Sequence, residues 1–298
     1  MKCVGSYVVF PGITLTFQNE ETYYDLGHSG ESFVIAHCRE GRAEFGLGDG
    51  FGYLSPGDLL VSDKASTEND WFFPLGRYLG IMITVDTKAA PGCLSCVLDD
   101  IDVSPRSLRS KFCSGDGFIA RSNDSIGHIF SELYNVPESI RDGYFKVKIL
   151  ELFLFLSAME TDFAMTSRHS VSRTHMELAR SVSRYLTSHM DERITLERLS
   201  TLFHISGTQI KQSFREVYGV SIYSFTRTEK MRAAARMLIE SDSTVLDIAG
   251  RFGYDNGSKF AGAFRDVMGM SPKEYRFEKI RPNRVEKCPN GVETCRDA

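Results

Sequence analysis

Two rows of polar side chains stand 50 residues apart in the C-terminal part of the chain. Thr208, Gln209, Lys211, Gln212 and Arg215 form the first row, and Asn256, Ser258, Lys259 and Arg265 form the second. Within each row the spacing puts these groups on the outward side of a short helix. Side-chain amides pair with adenine N6 and N7, an ammonium reaches guanine O6 and N7, and any cation grips a phosphate oxygen. This is the chemistry of nucleic-acid recognition; the sequence assigns no catalytic residue. Thr208, Gln209, Lys211 and Gln212 are the candidate base readers of the first row. Lys259, Arg265 and Arg276 are expected to hold phosphate.

The elements that must carry these rows are legible around them. Val245 to Arg276 reads as helix, tight turn, helix, and a Ser-Pro that starts a third helix. Leu246, Ile248, Ala249 and Phe252 form one apolar face at helical spacing, and Phe260, Ala263, Phe264 and Val267 form another. Gly253 sits at the bend, where positive φ is expected, Asp255 or Asn256 caps the second helix, and Gly269 ends it. A divergent copy of the plan precedes it: Leu196, Leu199, Ser206, Ile210, Phe214-Arg215 and Gly219 parallel the later string. Thr195 and Ser206 are its expected caps, Met176 to Met190 supplies an opening helix, and Ser221 to Ser241 a long helix joining the two units. Phe214, Phe260 and Phe264 are expected in the core, locking each outward helix to its support.

The string Ile248-Ala249, Gly253-Tyr254, Ser258, Phe260, Phe264-Arg265, Gly269, Ser271-Pro272 and Tyr275-Arg276 resembles the signature of AraC/XylS-family transcriptional regulators. The resemblance implies a DNA-binding domain at 175–281 with two helix-turn-helix units entering successive major-groove segments, which lie about 34 Å apart. It implies double-stranded DNA and RNA polymerase as partners. Many members read bases with an arginine where this chain has Gly262. The first helix is therefore expected to specify sequence and the second mainly to grip phosphate.

Charge supports the division. Residues 1–165 carry 13 Lys and Arg against 23 Asp and Glu, a net of −10, whereas residues 166–298 carry 22 against 16, a net of +6. Phosphate neutralisation needs the basic part. The 298 residues suffice for two cores. No run reaches the roughly 18 apolar residues of a membrane span, and the start lacks a signal-peptide pattern, so a cytoplasmic protein with no membrane partner is expected. Seven cysteines (3, 38, 93, 96, 113, 288 and 295) form no framework and read as free thiols. Cys93 and Cys96 are a lone CxxC and leave a redox sensor open.

In the acidic part, short segments of β-formers alternate with turns: Ser32 to Cys38, Phe51 to Leu54, Leu59 to Val61 after Ser55-Pro-Gly-Asp58, and Tyr78 to Val85. They predict a small antiparallel barrel over about 5–118, and the Pro56-Gly-Asp-Leu-Leu60 turn resembles the cupin-like sensor barrel of family members. Residues 92–121 are ambiguous, with a short helix near 92–101 and a strand-like Ser110–Cys113. Helices follow at about 122–162, completing a sensor and dimerisation domain at 1–163. The 144–161 helix is apolar over most of its circumference and is expected to lie on the barrel and on a second copy of the chain. Residues 164–174 read as a linker and 282–298 as a disordered tail. The fold class is thus α+β in two domains, a cupin-like antiparallel barrel with dimerisation helices followed by an all-α domain.

The family template implies a transcription regulator whose barrel binds a small effector. Phe33, Ile35 and His37 share one strand face, and Tyr78 and Met82 share another. With Trp71 and Phe73 they line an effector pocket, His37 giving its polar contact, or else a packed core. The alternative is a ligand-independent regulator whose N-terminal half is only a dimerisation or protein-contact module. Neither metal nor cofactor is expected, because His28, His37 and His128 are scattered without an HxH pair.

Overall fold

The computed structural model describes residues 5–19, 31–47, 49–63, 71–92, 94, 103–115, 117–121, 124–161 and 170–280. The helix expected near 92–101, most of the linker, the tail, His28 and the Cys93/Cys96 pair lie outside the described residues. The chain divides into two compact units, one of residues 1–180 with 212–219 and one of residues 181–211 with 220–298.

Eight strands lie among the described residues of the first unit: β1 (Gly5–Phe10), β2 (Ile13–Asn19), β3 (Ser32–Gly41), β4 (Ala43–Leu47), β5 (Gly50–Leu54), β6 (Leu59–Ser62), β7 (Tyr78–Asp86) and β8 (Phe118–Ala120). Six of them form one antiparallel sheet in the order β1-β2-β7-β3-β6-β8, while β4 and β5 pair as a separate ribbon. The sheet is open, with β1 and β8 at its edges, so the expected closed barrel is not seen among the described residues. The physical reason is in its faces. Phe33, Ile35, Leu59, Val61, Ile81 and Ile83 point to one side and pack with apolar residues of α1 (Pro105–Phe112), α2 (Asp124–Leu133) and α3 (Arg141–Ala158). A face covered by helices has no need to close on itself. Val34, Ala36, Cys38, Leu60, Tyr78 and Met82 point to the other side and pack with Phe45, Leu47 and Leu54 of the ribbon. The period-2 alternation of the strands produces both cores.

Gly41, at the end of β3, has φ +82°, and a Cβ there would collide with the Arg77 carbonyl oxygen. Only glycine lets the chain turn into β4 so close to another backbone.

One expectation changes in the connecting region. Ser110–Cys113 is not a strand: Ser110 to Phe112 end α1, and Cys113 is its C-cap. The cause is local, because Ser104 and Ser107 form a reciprocal capping box and Pro105 fills the first helical position, where its missing N–H costs nothing. The long apolar helix is α3, and its inward side (Phe145, Ile149, Leu152, Phe153 and Leu156) is fully buried in the first core. Val147 and Phe155 stay exposed on its outer side. Lys148 is buried too, held by the carboxylates of Glu132 and, at 2.8 Å, Glu151.

The remaining helices are α4 (Arg173–Ser188), α5 (Leu196–Phe203), α6 (Gly207–Tyr218), α7 (Ile222–Glu240), α8 (Val245–Arg251), α9 (Gly257–Met268) and α10 (Pro272–Ile280). Within the second unit, Met231, Ala234, Ala235 and Leu238 of α7 pack with Ile248 and Ala249 of α8 and with Phe260, Ala263 and Phe264 of α9. The α8 and α9 residues are those of the apolar stripes that the sequence pattern marks. The exception is Leu246, expected on the buried face of α8, which is exposed because it lies on the far side of that helix from the core. No helix among the described residues is long and apolar enough to cross a membrane.

Candidate nucleic-acid interface

The polar rows fall on α6 and α9. These helices have twelve residues each, and their starts, Gly207 and Gly257, are 50 positions apart. The α9 platform is built from its ends inward. Thr244 and Asp247 form a capping box that starts α8, a device not anticipated from the sequence although Thr-Val-Leu-Asp carries its spacing. Phe252 ends α8, and Gly253 follows with φ +78°. The Lys230 ammonium donates to the Phe252 carbonyl at 3.1 Å and to the Glu192 carbonyl at 3.2 Å, which pins the turn. Asn256 then caps α9, its Oδ1 accepting the amides of Ser258 at 2.8 Å and Lys259 at 3.3 Å.

Side chains below the helix hold it down. Phe260 and Phe264 are fully buried with ring centroids 5.8 Å apart; Tyr254 meets Phe260 edge-on at 5.5 Å, and Tyr275 meets Phe264 likewise at 5.5 Å. Arg227 of α7 pairs with Asp266 of α9 at 2.5 Å. On the outer side Asn256, Ser258, Lys259 and Arg265 are exposed, as is Gly262, whose missing side chain leaves open space. Arg276 differs from the rest. Its Nε donates to the Leu238 carbonyl at 3.0 Å and an Nη to the Ser243 carbonyl at 2.6 Å, so its guanidinium closes the C-terminal end of α7.

α6 repeats the plan with different end chemistry. Thr195 caps α5 by accepting the Arg198 amide at 3.3 Å. His204 ends α5 in the left-handed conformation, at φ 56°, the one described non-glycine residue with positive φ. Ser206 Oγ accepts the Gln209 amide at 3.3 Å and so starts α6. Ile210, Ser213, Phe214 and Val217 are fully buried, whereas Thr208, Gln209, Lys211, Gln212 and Arg215 are exposed. Gln212 Nε2 donates to Glu216 Oε1 one turn on, at 2.9 Å.

Residues 199–277 match a family model described as a helix-turn-helix domain. That segment is an AraC-type helix-turn-helix domain.

Three curated relatives show how far the likeness reaches. A probable transcriptional regulator, LumQ of Photobacterium leiognathi, is 25% identical over 107 residues, covering 36% of this chain and 42% of its own. An uncharacterised helix-turn-helix regulator of Escherichia coli K12, YdiP, is 32% identical over 99 residues, 33% of each chain. Another from Bacillus subtilis, YisR, is 29% identical over 109 residues, 37% of each chain. The matches thus span about a third to two fifths of these relatives. Among solved structures, a probable AraC family regulator from Rhodopseudomonas palustris is 29% identical, covering 36% of this chain and 99% of its own, with a TM-score of 0.33.

The seven residues expected to line an effector pocket fall into two groups on opposite faces of the sheet. Phe33 and Ile35 lie in the core beneath the helices, and Trp71, Phe73, Tyr78 and Met82 belong to the core under the ribbon. His37 stacks on Phe130 of α2 at 4.2 Å and 2°, on the helix side of the sheet. Its ring nitrogens have no hydrogen-bond partner, and burial pulls its pKa down to about 4, so it is neutral near pH 7.

Proposed function

We propose that this protein is a sequence-specific DNA-binding transcription regulator that reads DNA through two helix-turn-helix units. The observation that carries the reading is the pair of twelve-residue helices, α6 and α9, each with amide, hydroxyl and cationic groups outside and phenylalanine beneath. α6 supplies base readout through Thr208, Lys211 and Gln212, with Gln209 and Arg215 beside them. α9 supplies phosphate contacts through Lys259 and Arg265, with Asn256 and Ser258 at its start. A helix row of this composition, on a support helix that sets its angle, is the usual device for reading the major groove.

Selection from a random duplex pool, followed by hydroxyl-radical footprinting, tests this. The expected result is an asymmetric site protected on one DNA face over about two turns, two major-groove segments some 34 Å apart. Protection of a single groove segment would leave one unit without a DNA role and sink the two-helix reading.

In this proposal residues 1–163 form an effector-responsive and dimerising part, and a homodimer joins through the outer side of α3, where Val147 and Phe155 are exposed. RNA polymerase is a further partner, the protein acts in the cytoplasm, and it is not an enzyme. The second reading, a ligand-independent module, is favoured by one observation: the candidate pocket residues are divided between two packed cores.

A further inference from the structure

A polar cleft of about 400 Å³ opens at one end of the six-stranded sheet. Its floor comes from Glu31, just before β3, and from Asp63 and Thr87, just after β6 and β7, and its wall from α1 and the turn after it. This volume falls in the range of small-molecule sites, yet the described lining residues are charged, hydroxyl-bearing or thiol side chains.

The charges select the ligand. Asp63 is held by Arg109 at 3.0 Å, and Glu31 is held by Lys88 at 3.3 Å. The Thr87 hydroxyl donates to the Glu31 carbonyl at 2.7 Å, which fixes the strand ends against each other. Arg106 lies one helical turn before Arg109 on α1, exposed and without an ion pair to any described residue. One guanidinium thus lines the cleft without an ion pair to a described residue, in a half of the chain that carries a net −10. A planar fork of donors recognises carboxylate or phosphate oxygens. Ser110 and Ser114 add hydroxyls beside it, and Cys113 is a neutral thiol near pH 7, because burial and then the Asp63 carboxylate push its pKa up to about 12.

We infer that this cleft binds a small hydroxylated anion, its carboxylate or phosphate on Arg106 and its hydroxyls on Ser110 and Ser114. The inference deepens the effector part of the reading above by naming a ligand class, and it is independent of how DNA is read.

The test uses the full-length protein and the Arg side-chain Nε–Hε signals in NMR. Inorganic phosphate and acetate are titrated separately, to distinguish the two anion chemistries, followed by glucose 6-phosphate, gluconate and uncharged glucose. The expected result is a saturable shift of the Arg106 signal with at least one simple anion, and at least tenfold tighter binding of the matching sugar anion. Glucose should not saturate the site. Arg106→Gln should abolish the binding without moving the melting temperature of the free protein, since the side chain is exposed. Absence of a saturable Arg106 shift with both simple anions overturns the site. So does sugar-anion binding that survives Arg106→Gln, and equal affinity for simple and sugar anions removes the hydroxyl contacts. Binding that leaves duplex affinity unchanged would keep the site and defeat the effector reading instead.

Discussion

Asn256 Oδ1 accepts the backbone amide of Ser258 at 2.8 Å, so the first polar residue of the second row is the N-cap of α9. The oxygen that the sequence offers to DNA is already engaged in starting the helix. Asn256→Ala should cost about 1 kcal/mol of stability, the usual loss for an N-cap, while Asn256→Asp retains most of it. Urea unfolding of both variants checks this; an alanine variant as stable as the parent would show that the cap contributes nothing.

The two rows should fail in different ways. Gln212→Ala is expected to relax preference at one base pair by about 1–3 kcal/mol, after allowing that its amide must first leave Glu216. Lys259→Ala should weaken all duplexes alike and lower the slope of log affinity against log salt by about 1. Binding curves for matched and mismatched duplexes at several salt concentrations separate the two. Identical, sequence-independent losses would show that α6 does not specify.

His37 links stability to acid. Its pKa is about 4 in the folded protein and about 6.5 in an unfolded chain, so below pH 6.5 the unfolded state takes up the proton first. Its contribution is complete above pH 6.5 and is lost as pH falls toward 4, by up to about 1.4 kcal/mol per pH unit. Stability measured from pH 7.5 to 4.5 should decline less steeply in His37→Gln than in the parent. Parallel curves would mean that His37 is not buried in its neutral form.

His204 holds the left-handed position at the end of α5. That conformation costs a side-chain-bearing residue about 1–2 kcal/mol, partly offset because glycine loses more chain entropy on folding. His204→Gly should therefore stabilise the protein by roughly 0.5 kcal/mol, read as a small rise in melting temperature. A fall would show that the imidazole makes a contact worth more than the strain.

Much of the C-terminal half is legible in its residues alone, because its determinants are local. Apolar spacing along α7, α8 and α9, the cap residues Thr195, Ser206 and Asn256, and the bend at Gly253 all act within one or two helical turns. The 50-residue offset of α6 and α9 is likewise a property of the string. The helix expected at 144–161 lies within three residues of α3 at each end for the same reason.

Other features needed the tertiary structure. The strand pattern identifies β3, β5, β6 and β7, but alternation is the same in an open sheet and a closed barrel; it is the strand order that leaves β1 and β8 as edges among the described residues. Alternation also could not say that Phe33 and Tyr78 lie on opposite faces, since that depends on the register of β3 against β7, where Gly41 faces Tyr78. The inward turn of Arg276 onto the Leu238 carbonyl, 38 residues back, follows from how α10 packs on α7. The Arg106 cleft belongs to the same class: its residues come from four separate segments, and only folding brings them to one end of the sheet. Local free energies set the helices, caps and turns from sequence alone, whereas long-range pairing decided which faces and which charges meet.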